Sequence, residues 1–132
     1  AFDLLALALG EAVPAVEEPP RMAAMRISWA KAQVLAELRD PALRPQAIAD
    51  RQGVSLRLLQ RLFSSRGESL ADFILEQRLQ RCGDALRDPA NAHRTITEIA
   101  LSWGFADSAG FSRAFRRRFG MAPGEWRREV RR

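Results

Sequence analysis

Residues 48–73 and 99–126 carry one pattern twice. The first copy reads Ile48-Ala49, Gly53-Val54, Leu59, Arg61, Phe63, Gly67, Ser69 and Phe73, and the second reads Ile99-Ala100, Gly104-Phe105, Phe111, Arg113, Phe115, Gly120, Ala122 and Trp126. The offset between equivalent residues is 51 up to the first glycine, 52 through the next segment, and 53 beyond the second glycine. Both one-residue insertions fall in turns, where a folded unit tolerates them. Two copies are too few for a solenoid, so the repeat predicts two related subdomains.

Each copy asks for a short helix, a tight turn and a second helix. A small residue, Ala49 or Ala100, lies four before the turn glycine, Gly53 or Gly104. A small side chain lets two helices cross closely, and glycine accepts the positive φ that the turn needs. A bulky apolar residue of the second helix, Leu59 or Phe111, then plugs the crossing. This is the helix-turn-helix pattern, whose second helix is shaped to enter the major groove of DNA.

The rest of the chain agrees with helix, because strand-like alternation is absent after Arg21. The spacing predicts a first helix over 26–38, with Ile27, Ala30, Val34 and Leu38 on one face, ended by Asp40-Pro41. Pro45 opens a second helix that stops at Gly53, and Ser55 caps a third over 56–64. Ser69 caps a fourth over 70–86 with Phe73, Ile74, Leu75, Leu79, Cys82 and Leu86 as its apolar positions. Asp88-Pro89 and Asn91 read as a loop, 97–103 as a fifth helix, a sixth runs from its Asp107 cap to Phe119, and Pro123 opens a seventh. Trp29, Trp103 and Trp126 are expected to pack, and Cys82 to be a buried, inert thiol.

Charge sharpens the division of the chain. Residues 1–20 hold four acids (Asp3, Glu11, Glu17, Glu18) and no Lys or Arg, a formal −4. Residues 21–132 hold 21 basic and 12 acidic side chains, a formal +9. Such a basic domain calls for a polyanion, with nucleic acid ahead of an anionic membrane surface. Arg, which supplies all the basic residues except Lys31, has the planar fork that suits phosphate and guanine edges. The longest apolar run, 4–9, is too short to cross a bilayer. One cysteine and one histidine, His93, leave no disulfide and no zinc set. No Ser/His/Asp set, phosphate loop or carboxylate pair stands out. Neither an enzyme nor a bound cofactor is expected.

The candidate contacts follow from helix faces. With Leu58, Leu59, Leu62 and Phe63 assigned inward, Arg57, Gln60 and Arg61 form one outward stripe on the third helix. Arg pairs with guanine O6/N7 and Gln with adenine N6/N7, so base contact is expected of the three as a set, with phosphate anchoring the alternative for Arg61 alone. With Phe111, Ala114 and Phe115 inward, the sixth helix offers Ser108, Ala109, Ser112 and Arg113. Only Arg113 among them is a strong base reader, and Ala109 can meet no more than a thymine methyl. Gly110 inside this helix costs about 1 kcal/mol against Ala and suggests a close approach to its backbone. Phosphate contacts are expected from helix N-termini and flanking arginines: Ser55, Arg94, Thr97, Arg116, Arg117 and Arg127.

Residues from about 26 to 132 resemble the DNA-binding domain of the AraC/XylS family of bacterial transcription regulators. The resemblance is densest over 99–120 (IALSWGFADSAGFSRAFRRRFG) and its sequel MAPGEWR, where Trp126 stands in place of the more usual Tyr. It extends through Ile48-Ala49, Gly53-Val54-Ser55, Leu59-Gln60-Arg61-Leu62-Phe63, Gly67 and Arg78-Leu79, with Cys82 where Ala is usual in the stretch after Arg78-Leu79. The resemblance implies an all-α fold of about seven helices, with two helix-turn-helix subdomains joined by a long linker helix. It places base reading on the same positions, Arg57, Gln60 and Arg61. The expected organisation is the end of an upstream domain and a Pro/Glu linker over 1–20, the first subdomain over 21–68, the linker helix over 69–87, and the second subdomain over 88–132. The stretch 1–10 reads as a short helix that resembles the closing helix of an upstream regulatory domain, and the chain as a fragment of a longer protein. Implied partners are double-stranded promoter DNA and RNA polymerase, with a small-molecule effector acting only through the upstream domain, and the implied location is cytoplasmic. The competing reading is a basic helical module for protein interaction or an anionic membrane surface, and it needs no paired register.

Overall fold

In the computed structural model, residues 19–129 are described. The expected short helix over 1–10 and most of the linker lie outside the described residues. Seven α-helices and no strand occur among the described residues: α1 (Pro20–Ala36), α2 (Pro45–Gln52), α3 (Leu56–Ser64), α4 (Leu70–Arg87), α5 (Ile96–Ser102), α6 (Ser108–Phe119) and α7 (Pro123–Glu129).

The all-α architecture agrees with the sequence reading, and the differences lie at helix ends. Helix α1 starts six residues before the expected Arg26, because Pro20 serves as its first residue and the intervening Met and Ala residues are good helix formers. It ends at Ala36, so Leu38 is buried from the turn beyond the helix and not from its last turn. Helix α4 runs one residue past Leu86, and Pro89–Asn91 forms a 3₁₀ turn in the expected loop. Helix α5 starts at Ile96, not Thr97, because Thr95 and Glu98 form a capping box. Thr95 Oγ1 accepts from the Glu98 N–H at 3.0 Å, and Glu98 Oε1 accepts from the Thr95 N–H at 2.7 Å.

The repeat is visible atom by atom. Val54 N–H donates to Ala49 O at 3.1 Å, and Phe105 N–H donates to Ala100 O at 3.2 Å. Ala49, Ala100, Leu59 and Phe111 are all fully buried. Both turn glycines hold positive φ, +69° at Gly53 and +94° at Gly104. Ser55 caps α3 and Asp107 caps α6 at equivalent places. Even α7 has a counterpart, since it begins where the repeat register puts the start of α4.

Two cores result, and α4 is a wall of both. The first gathers Val34, Ile48, Leu59 and Phe63 around Leu70 and Ile74. The second gathers Ile99, Phe111 and Phe115 around Leu79, Cys82 and Leu86. At about 100° per residue, the two faces of α4 point roughly 130° apart. Trp103 packs against both cores. In the second core Trp126 lies 4.6 Å from the Phe119 ring centroid, and its Nε1–H donates to Gly83 O at 2.9 Å. Trp103 and Trp126 therefore pack as expected. Trp29 does not: it is 47% exposed, on the outer face of α1. Leu58 also departs from expectation, being only partly buried, while Leu56 joins Leu62 against the first core. Cys82 is fully buried, and burial pushes its thiol up to about 12.

Candidate nucleic-acid interface

Helix α3 divides cleanly into two faces. Leu59 and Phe63 are fully buried, whereas Arg57, Gln60 and Arg61 are exposed. These three fall on one stripe because residues three and four apart are neighbours on a helix. The start of the helix is fixed by Ser55, whose Oγ accepts from the Leu58 N–H at 3.0 Å. That cap uses the hydroxyl as an acceptor and leaves its proton free to donate to an anion.

Helix α6 repeats the arrangement with a thinner polar face. Phe111 and Phe115 are fully buried and Ala114 packs against the second core. Ala109 and Arg113 are exposed, and Ser108 and Ser112 are partly buried. Asp107 Oδ1 accepts from the Gly110 N–H at 2.7 Å. A Cβ on Gly110 would lie 3.1 Å from that same oxygen, so the close approach expected at this glycine is its own cap.

The flanking candidates differ in how much of the side chain is left for a ligand. Arg116 and Arg117 are exposed in the last turn of α6. Their neighbour Arg118 is diverted to α4, where its Nε donates to Glu76 Oε1 at 2.7 Å. Arg94 is partly buried, with Nη2 3.5 Å from Glu98 O. Arg127 is partly buried, and its Nη2 donates to Asn91 O at 2.6 Å, tying α7 to the loop after α4. Thr97 is exposed in the first turn of α5, behind the Thr95 cap. The Thr95-x-x-Glu98 spacing was the signal for that cap.

The sequence gives Arg39 no role and offers Arg78 only as part of the family pattern. Arg78 Nε donates to Leu38 O at 3.0 Å and its Nη2 donates to Asp40 O at 2.7 Å. The Arg39 guanidinium stacks over Trp103, 3.8 Å from the ring centroid. No periodicity announces such contacts, because they join residues some 40 to 60 positions apart. Among the described residues, no helix is long and apolar enough to cross a membrane.

Two helix-turn-helix units on a shared helix, each turning a polar stripe outward beneath a net positive charge, define a tandem helix-turn-helix domain. Residues 48–129 match the family model described as a helix-turn-helix domain. The chain is 33% identical over 92 residues to the regulatory protein SoxS of Escherichia coli, covering 69% of this chain and 83% of that protein. It is 36% identical over 90 residues to the Msm operon regulatory protein of Streptococcus mutans, covering 67% of this chain and 31% of that protein. Its fold is similar to that of an AraC-type DNA-binding-domain regulator from Chromobacterium violaceum, with a TM-score of 0.71 at 29% identity, over 83% of this chain and 96% of that one. The chain belongs to the AraC-type helix-turn-helix family of DNA-binding transcription regulators. It spans about a third of the length of the longer curated relatives it matches.

Proposed function

We propose that this chain is the DNA-binding part of a transcription regulator and binds double-stranded promoter DNA sequence-specifically through α3 and α6. The observation that carries this reading is the doubled geometry: each second helix sets buried residues, Leu59 and Phe63 or Phe111 and Phe115, against an exposed polar stripe. Arg57, Gln60 and Arg61 read base edges from α3, and Ser108, Ala109, Ser112 and Arg113 from α6. Ser55, Thr97, Arg94, Arg116 and Arg117 hold phosphates. Arg127 holds one only in addition to its bond to Asn91 O. RNA polymerase is a further partner, and any small-molecule effector acts through a separate upstream domain. The DNA partner puts the site of action in the cytoplasm.

Helix α4, with 18 residues, spans roughly 27 Å at 1.5 Å per residue. With a unit at each end, the reading helices lie on the order of 34 Å apart, one turn of B-DNA. One chain then enters two successive major grooves, and because the two stripes differ the site is asymmetric. Where straight DNA does not meet both helices, the duplex bends at about 1–6 kcal/mol or α6, the poorer reader, engages only in part. The test is selection of bound sites from a random DNA pool followed by footprinting. Protection of about two helical turns by one bound chain is the expected result. A symmetric site bound by two chains, each covering one turn, overturns the reading.

A further inference from the structure

The two turn glycines are equivalent by repeat, yet their surroundings differ. A Cβ on Gly53 would meet nothing within 4 Å. A Cβ on Gly104 would lie 2.6 Å from Leu38 O and 2.7 Å from Arg78 Nη2. The turn of the second unit is therefore pressed against the loop after α1, and the turn of the first is open. Arg78 sits between the two. It leaves α4 at an angle between the helix's two core faces, and it binds the carbonyls of Leu38 and Asp40 while the Gly104 backbone closes over its guanidinium. Arg39 reaches across the same seam, donating from Nη1 to Ser102 O at 3.1 Å and stacking on Trp103.

We infer that Arg78 and Arg39, clamped by the glycine-tight turn at Gly104, are positioning residues that fix the relative orientation of α3 and α6, and so select the spacing between the two halves of the DNA site. The inference rests on the proposed DNA-binding reading. Each unit packs on its own face of α4, so through that helix alone their relative orientation is free to follow any bend or twist of α4. The seam adds a second attachment at a distance from the helix axis, and two attachments remove that freedom. Neither arginine lies on a reading stripe, so their effect is on register and not on the identity of the bases read.

Two readouts on the 132-residue chain test this. The first uses spin labels on cysteines introduced by Gln46→Cys and Arg128→Cys, one exposed site in each unit, with Cys82 buried and unlabelled. Electron–electron distance measurement on the free protein is expected to give a narrow distribution in the parent and a broader one in Arg78→Ala. The second measures binding to the selected site with one or two base pairs inserted between its halves. The parent is expected to lose about tenfold or more in affinity, and Arg78→Ala to lose about threefold or less. If Arg78→Ala does not melt cooperatively, Arg39→Ala carries both arms, since Arg39 is exposed. An unchanged distance distribution overturns the inference. So does unchanged spacing discrimination, even where the distribution broadens. If the parent selects no site at all, it is the DNA-binding reading that fails, and the distance measurement still decides whether the seam orients the two units.

Discussion

Arg118 donates from Nε to Glu76 Oε1 at 2.7 Å, fastening the last turn of α6 to the middle of α4. This hydrogen bond holds the Glu76 carboxyl below its ordinary range, and Gln80 on the other oxygen acts in the same direction. A carboxyl lowered by folding contributes stability above its unfolded pKa and loses that contribution as pH falls through the folded value. The melting temperature of Glu76→Gln is therefore expected to fall slightly below that of the parent at pH 7, and the gap to close below about pH 4. The gap is small because both side chains are part-exposed. Calorimetry from pH 7 to pH 3 checks it, and a gap constant over that range removes the ion pair from the account.

The two turn glycines separate conformational strain from steric conflict. Gly53→Ala places a side chain at positive φ in open space, which costs about 1–2 kcal/mol. Gly104→Ala carries the same strain plus a clash with the Leu38 carbonyl. Urea denaturation is expected to rank Gly104→Ala as clearly the more destabilised. Equal midpoints would mean that the seam yields without cost.

For Arg61, exposed on the α3 stripe, base reading and phosphate anchoring give different signatures. A base reader truncated to Ala costs about 1–3 kcal/mol on the preferred site and relaxes preference at one base pair. Anisotropy titrations against preferred and scrambled duplexes distinguish the two. An equal loss on both makes Arg61 a phosphate contact.

Salt dependence reports on the whole interface. With roughly 6–10 phosphate contacts, affinity is expected to fall by about 10³–10⁵ between 50 and 200 mM salt. A nearly flat response would be incompatible with binding driven by the exposed arginines.

The units were legible because each is built from short-range pattern. Ala49, Gly53, Leu59 and their partners fifty-odd residues on announce two crossings, and Ser55, Ser69 and Asp107 announce three caps. The outward stripes followed by subtraction, once the buried faces were known. The start of α1 escapes the sequence because Pro20, the first helical residue, belongs by composition to the Pro/Glu linker. Trp29 misled because a tryptophan's size suggests burial without locating its partner. Of the seam of Arg39, Arg78 and Gly104, only the turn glycine was legible; the contacts that meet there were not. Arg78 pairs with backbone carbonyls, and any sequence supplies those; only the folded chain says which ones arrive.

Because α4 lends one face to each core, neither half owns the helix it depends on. Melting α4 strips Leu70 and Ile74 from one core and Leu79, Cys82 and Leu86 from the other in a single event. The two units, duplicated in pattern, are thus pooled in stability: they are expected to melt in one cooperative transition, and a lesion in the second unit's core to be felt at the outward stripe of the first.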